Sequence, residues 1–343
     1  MPKNILIIKP SALGDVVTAL PVLASLRANF PDARISWLVR SEFAPILEMA
    51  PGLDEIILFD RKRLGKWWYN PSVFAELMRF LCCLRKANFD LVIDLQGLFR
   101  TGFFGWITGC KKRFGMKDCR ELASFFYTDT AGPCGDSEHV TDYFLNVASG
   151  VGCRKIVSTC DLITPKEAED NISTLLEKSG ISRDNYAVFV PGSAHPYKCW
   201  PLANFSELAA KIASKFSLKI IATGTSGERD YIEQMVISDG PIANFAGKTD
   251  IKELTVLLKG AKIVVTNDTG PGQIAAALAV PMVMVIGSTN PARISPLSRP
   301  QCVAAIDPTS RGRSIESSNP AHAIENVTID MVLEKVTAQL ENA

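Results

Sequence analysis

No two cysteines in this 343-residue chain stand in Cys-x-x-Cys spacing, and there are only three histidines, His139, His195 and His322. The nine cysteines fall irregularly, at positions 82, 83, 110, 119, 134, 153, 160, 199 and 302. Such a distribution offers no zinc-ligand pattern, and its odd total fits a reducing compartment better than a disulfide framework. No apolar run approaches the ~18 residues that span a bilayer, so any membrane contact is expected to be peripheral. The first apolar run, Ile5 to Ile8, is short and stops at Lys9; it reads as a buried strand rather than a signal peptide. A large net charge is also lacking. The 37 basic and 36 acidic side chains leave +1, which argues against a general nucleic-acid binder. No Gly-x-Gly-x-x-Gly follows the first strand, which disfavours a nicotinamide-dependent oxidoreductase.

What is present is alternation. Strand-like and helix-like segments follow one another in the first half (Ile5–Ile8, Val16–Ala28, Ile35–Val39, Phe43–Met49, Glu55–Phe59, Ser72–Ala87, Leu91–Leu95), and the pattern restarts at Ala187–Val190. This predicts α/β architecture with parallel sheets covered on both faces. The length predicts two domains, placed at 1–165 and 166–343. The stretch Phe99–Gly135 is irregular and is expected to hold loops and short helices. A last helix is expected over Thr328–Leu340, and the sequence leaves open which domain it joins.

Two turns carry the chemistry. Lys9-Pro-Ser-Ala-Leu-Gly-Asp15 and Asn267-Asp-Thr-Gly-Pro-Gly-Gln273 each join a strand to a helix start, where unpaired N–H groups favour anions. Two such turns suggest two lobes facing each other across a cleft. Asp15 is either a first-turn acid serving the helix dipole or a general base at the sheet edge. Lys9 and Ser11 offer donors in the same turn, although a strand-end lysine is ordinarily solvated. The loop Pro191–Pro201 carries Ser193 and Lys198, which suit phosphate oxygens, while Trp200 suits a core. Glu228 opens a helix after the strand Lys219–Ala222, as a cap or as a grip on ribose hydroxyls. Asp268, Thr269 and Gly270 favour anion binding over a purely structural cap. Arg61-Lys-Arg-Leu-Gly-Lys-Trp-Trp68, with Lys111-Lys-Arg113 and Arg120, is either a solvated basic face or a surface for an anionic amphiphile, with core packing of one or both Trp as the competing reading.

In order and over nearly the whole length, these segments resemble the heptosyltransferases of glycosyltransferase family 9. The resemblance rests on Lys9–Asp15, Phe89-Asp-Leu-Val-Ile-Asp-Leu-Gln-Gly-Leu98, Arg120-Glu-Leu-Ala-Ser-Phe-Phe-Tyr127, Lys198-Cys-Trp-Pro201 and Asn267-Asp-Thr-Gly270. It implies a GT-B fold of two Rossmann-like domains, the acceptor on the first and the nucleotide sugar on the second. The implied reaction is inverting transfer of heptose from ADP-heptose to the Kdo region of lipopolysaccharide, with no metal and no cofactor. Asp15 would be the base. Lys198 would bind donor phosphate and act catalytically by stabilising the charge on the departing diphosphate. Ser193 would contact that phosphate, Glu228 the adenosine ribose, and Asp268, Thr269, Gly270 and Gln273 the rest of the donor. Lys9, Ser11, Arg61, Arg63, Lys111 and Arg120 would hold the anionic Kdo–lipid A acceptor. The implied location is cytoplasmic, peripheral at the inner membrane, with no nucleic-acid partner. One position departs from the pattern: the family commonly has His where this chain has Gln273, so a related nucleotide sugar is the alternative donor. A non-catalytic sugar-nucleotide-binding protein is the other.

Overall fold

The computed structural model describes residues 1–133, 139–183, 185–236, 240–296, 299–309, 311–312 and 314–341. Cys134 lies outside them. The chain forms two compact units, Met1–Leu162 and Ile163–Ala343.

The first unit holds β1 (Asn4–Ile8), β2 (Arg34–Val39), β3 (Glu55–Leu58), β4 (Leu91–Asp94), β5 (Arg113–Met116) and β6 (Asp129–Ala131) in the order β3-β2-β1-β4-β5-β6. The second holds β7 (Tyr186–Val190), β8 (Lys219–Ala222), β9 (Ile242–Asn244), β10 (Ile263–Asn267), β11 (Met282–Val285) and β12 (Val303–Ala304) in the order β12-β11-β10-β7-β8-β9. Every neighbouring pair is parallel. Counted from its own first strand, each sheet has the same Rossmann order. Ligands in such sheets bind beyond the strand C-termini where the order reverses: at β1/β4 in one unit and at β7/β10 in the other.

The apolar runs became central strands because both sheet faces are covered. Ile5, Leu6, Ile7 and Ile8 are fully buried, and Val188, Phe189 and Val265 are buried in the same way. The segment expected to be loops and short helices also contains β5 and β6. These strands lack an apolar run: Arg113-Phe-Gly-Met116 includes a glycine, and a Cβ at Gly115 would sit 2.2 Å from the Tyr127 ring. The last helix, Ile329–Glu341, joins the second unit, where Val332 and Val336 share a core with Trp200 and Phe205.

Candidate active site

In the first unit, Lys9 follows β1 and the helix Leu13–Asn29 starts just beyond it. Lys9 is not solvated as a strand-end lysine ordinarily is. It is 4% exposed, its ammonium lies 5.1 Å from the Phe144 ring centroid, and Nζ is 3.6 Å from Asp15 Oδ2. Burial lowers its pKa, opposed by the charges of Asp15 and Asp94. The Asp15 carboxylate also accepts the Ala12 N–H at 3.1 Å, and its side chain is 49% exposed, so it is fixed in orientation yet reachable.

Asp94, at the end of β4, was read as part of a strand and of the Phe89–Leu98 stretch, with no role of its own. It is 1% exposed, accepts the Tyr127 hydroxyl at 2.7 Å, and takes the Gln96 and Gly97 N–H groups at 2.8 and 3.2 Å. Burial raises its pKa against those hydrogen bonds, and burial raises that of the Tyr127 phenol as well. A lone strand-end aspartate beside Gln-Gly gave no signal of its burial, because Tyr127 arrives from 33 residues away.

The basic residues divide. Arg61, Arg100, Ser11 and Gln96 line one small polar pocket of about 80 Å³, together with Arg40 and Glu121. Neither Arg61 nor Arg100 forms an ion pair among the described residues, and burial and then the Arg61 charge lower the pKa of Arg100. Arg63 is paired with Glu76 at 2.8 Å. Arg120 is exposed, but its charge reaches Lys9. Lys111 lies elsewhere: it lines a hollow with Met1, Lys3 and Asp90, at the edge where β1 and β4 begin, and so stands apart from the other acceptor candidates. Arg100 was missed because an isolated arginine after Phe99 carries no pattern. Trp67 and Trp68 are 48% and 73% exposed, so neither is core.

In the second unit, the loop after β7 meets the turn after β10. Lys198 Nζ lies 2.6 Å from Asp268 Oδ2, both side chains being largely buried. Thr269 caps the helix Gly270–Ala277, accepting the Gly272 N–H at 3.4 Å and sharing a 2.9 Å hydrogen bond with Thr266. Ser193 is half-buried in the same loop, where the exposed His195 stacks on Tyr197. Trp200 is fully buried and donates Nε1–H to the Val327 carbonyl at 2.8 Å. Glu228 closes a capping box, accepting from the Thr225 N–H and hydroxyl at 2.7 and 2.8 Å. It also leans over Gly192, where a Cβ would sit 1.9 Å from Oε1, and so it borders the loop that carries Ser193 and Lys198. Gln273 is 5% exposed; its amide donates to the Ile294 carbonyl at 3.1 Å, and Oε1 has no partner among the described residues.

Asn267, which opens the Asp268 turn, was given no role of its own by the sequence reading. Fully buried, it donates to the Pro191 carbonyl at 2.7 Å and accepts the Trp200 N–H at 3.1 Å, tying both ends of the Lys198 loop to the Asp268 turn. The arrangement gives a carboxylate poised over an ammonium in one unit, and an ammonium with a capped helix start in the other. Helix starts and lysines of this kind hold phosphoryl groups.

A family model described as glycosyltransferase family 9 (heptosyltransferase) matches residues 77–322. Lipopolysaccharide heptosyltransferase 1 of Escherichia coli K12 is 26% identical over 341 residues, covering 98% of this chain and 99% of that protein. The Pseudomonas aeruginosa lipopolysaccharide heptosyltransferase 1 is 28% identical over 302 residues, 84% of this chain and 79% of that one. Among solved structures, E. coli heptosyltransferase WaaC with ADP is similar at a TM-score of 0.77 and 25% identity, over 98% of this chain and 99% of that chain. The paired Rossmann-like units are those of the GT-B fold of such enzymes.

Proposed function

We propose, since the chain belongs to glycosyltransferase family 9 and is a glycosyltransferase, that it transfers heptose from ADP-heptose to the Kdo region of the lipopolysaccharide inner core, with inversion. The observation that carries this reading is the Lys198–Asp268 pair beside the capped start of the helix Gly270–Ala277. It supplies an ammonium and backbone N–H groups where a departing diphosphate needs them. The names of the similar proteins, lipopolysaccharide heptosyltransferase 1, support the same donor and product class.

In this mechanism Asp15 takes the proton from an acceptor hydroxyl. The hydroxyl oxygen bonds to the anomeric carbon as the bond from that carbon to the diphosphate breaks, and ADP leaves with the electron pair. Positive charge builds on the sugar ring, as in glycoside hydrolysis. Lys9 holds the Asp15 carboxylate from below, Lys198 and the N–H groups of the Asp268–Gly270 turn receive the diphosphate, and Ser193 and Glu228 contact phosphate and ribose. Arg61, Arg100 and Ser11 hold the anionic acceptor, with Arg120 adding field at Lys9; Arg63 joins them by exchanging Glu76. The exposed indoles of Trp67 and Trp68 beside Arg61, Lys62, Arg63 and Lys66 suit the anionic inner leaflet, so the protein works peripherally at that membrane.

Asp15→Ala tests the base. Turnover falls by ~10²–10⁴-fold, the usual worth of a positioned base, while ADP binding measured by calorimetry stays unchanged. Near-normal turnover would rule out the assignment. A second donor is the alternative reading, resting on the neutral amide of Gln273 at the position where the family pattern implied by the resemblance has imidazole. Transfer assays with several nucleotide sugars and one acceptor decide between the two.

A further inference from the structure

Beside the polar pocket of the first unit lies a groove of about 560 Å³, within the size range of ligand sites. Its floor includes Phe59, Leu77 and Phe104. Its rim leaves Phe74, Met78 and Phe99 at 44%, 36% and 51% exposure. Apolar side chains gathered around an open groove of this kind mark a binding surface rather than a packing accident. Arg61 and Arg100 line both the groove and the polar pocket. A ligand meeting all three features is anionic at the arginines, hydroxyl-bearing on the Ser11 side and apolar on the Leu77 side. That is the layout of an acylated anionic glycolipid.

We propose that the groove takes an acyl chain of the acceptor itself, while Arg61 and Arg100 hold the acceptor's anionic groups at its mouth. The inference rests on the first unit being the acceptor unit. Each methylene withdrawn from water is worth a factor of about four in affinity, so excluding only two from the groove changes binding by about 15-fold, an order of magnitude.

The test is steady-state transfer to a Kdo-bearing, acylated glycolipid and to the same glycolipid stripped of its acyl chains, in one nonionic detergent. Leu77→Trp fills the groove and Met78→Ser strips its rim. Both variants are expected to raise KM for the acylated acceptor about 10-fold and to leave KM for the stripped one within about twofold. Equal changes with both acceptors, or none with either, overturn the proposal. So does a Leu77→Trp variant that binds acceptor-free anionic vesicles more tightly and lowers KM for the acylated acceptor, since that is bilayer insertion. If the wild type transfers to neither acceptor, the donor–acceptor reading fails instead. Equilibrium binding of the two glycolipids then decides the groove: weaker binding of only the acylated one by both variants supports it, and unaltered binding overturns it.

Discussion

Lys198 and Asp94 make opposite demands on their surroundings. Lys198 is held by the Asp268 carboxylate and, in the proposed mechanism, also receives the diphosphate, so Lys198→Met would remove that cation and leave Asp268 without its partner at 2.6 Å. A loss of ~10²–10³-fold in kcat/KM is expected, with most of it in kcat if the ammonium acts on the leaving group. Steady-state kinetics measure this, and a pure KM effect would assign Lys198 to ground-state binding only. Asp94 holds a proton more tightly than usual because it is buried. Between its ordinary value of 3.8 and its raised one, the folded protein keeps a proton that the unfolded chain has released. Stability therefore falls as pH rises through that window. Asp94→Asn cannot titrate and lacks this slope. Its melting temperature minus that of the wild type should climb from about pH 4 upward and then level off; a gap that stays constant with pH would show that Asp94 titrates alike in both states. Asp15, Lys198 and Asp268 were legible as residues because each sits in a strand-to-helix turn. The burial of Lys9 was not, because it depends on Phe144, which comes from a helix residue 135 positions later and leaves no trace near the lysine.

At the scale of elements, the turns were legible because glycine and proline punctuate them, whereas the short outer strands were not. β9 has three residues, β12 two, and β5 opens on an arginine, so none of them shows the apolar run that betrays a central strand. The start of the helix Gly270–Ala277 depends on closeness rather than on backbone freedom. A Cβ on Gly272 would meet Met284 Cε at 2.7 Å and Thr266 Cγ2 at 2.9 Å. The thioether can move aside, but the β-branched threonine on the central strand β10 cannot do so cheaply. Gly272→Ala is accordingly expected to destabilise by ~1–3 kcal/mol, read by chemical denaturation, and to weaken ADP binding as the helix start shifts away from its strand. An unaltered midpoint would show that the helix has slack the packing does not suggest.

Across the whole molecule, each unit carries a sheet with its own buried apolar layer; Phe59, Phe104 and Leu84 cluster in one and Phe189, Trp200 and Phe205 in the other. The duplicated architecture was legible from the restart of alternation at Ala187. Because the proposed donor residues all lie in one unit, residues 163–343 expressed alone should melt cooperatively and bind ADP within about 10-fold of the full chain, while transferring nothing. Calorimetry and a transfer assay measure both, and loss of ADP binding in a folded fragment would place part of the donor site in the other unit. The Lys198–Asp268 contact has a last consequence, which concerns competition. Because the ammonium is already neutralised by its own chain, a small anion such as inorganic phosphate must trade one ionic contact for another and gains little. A nucleoside diphosphate can take the ammonium and the amides of the helix start together. On the proposed donor site, an internal rival of this kind would set a threshold that only multidentate anions pass, so discrimination against abundant simple phosphates would need no wall to keep them out.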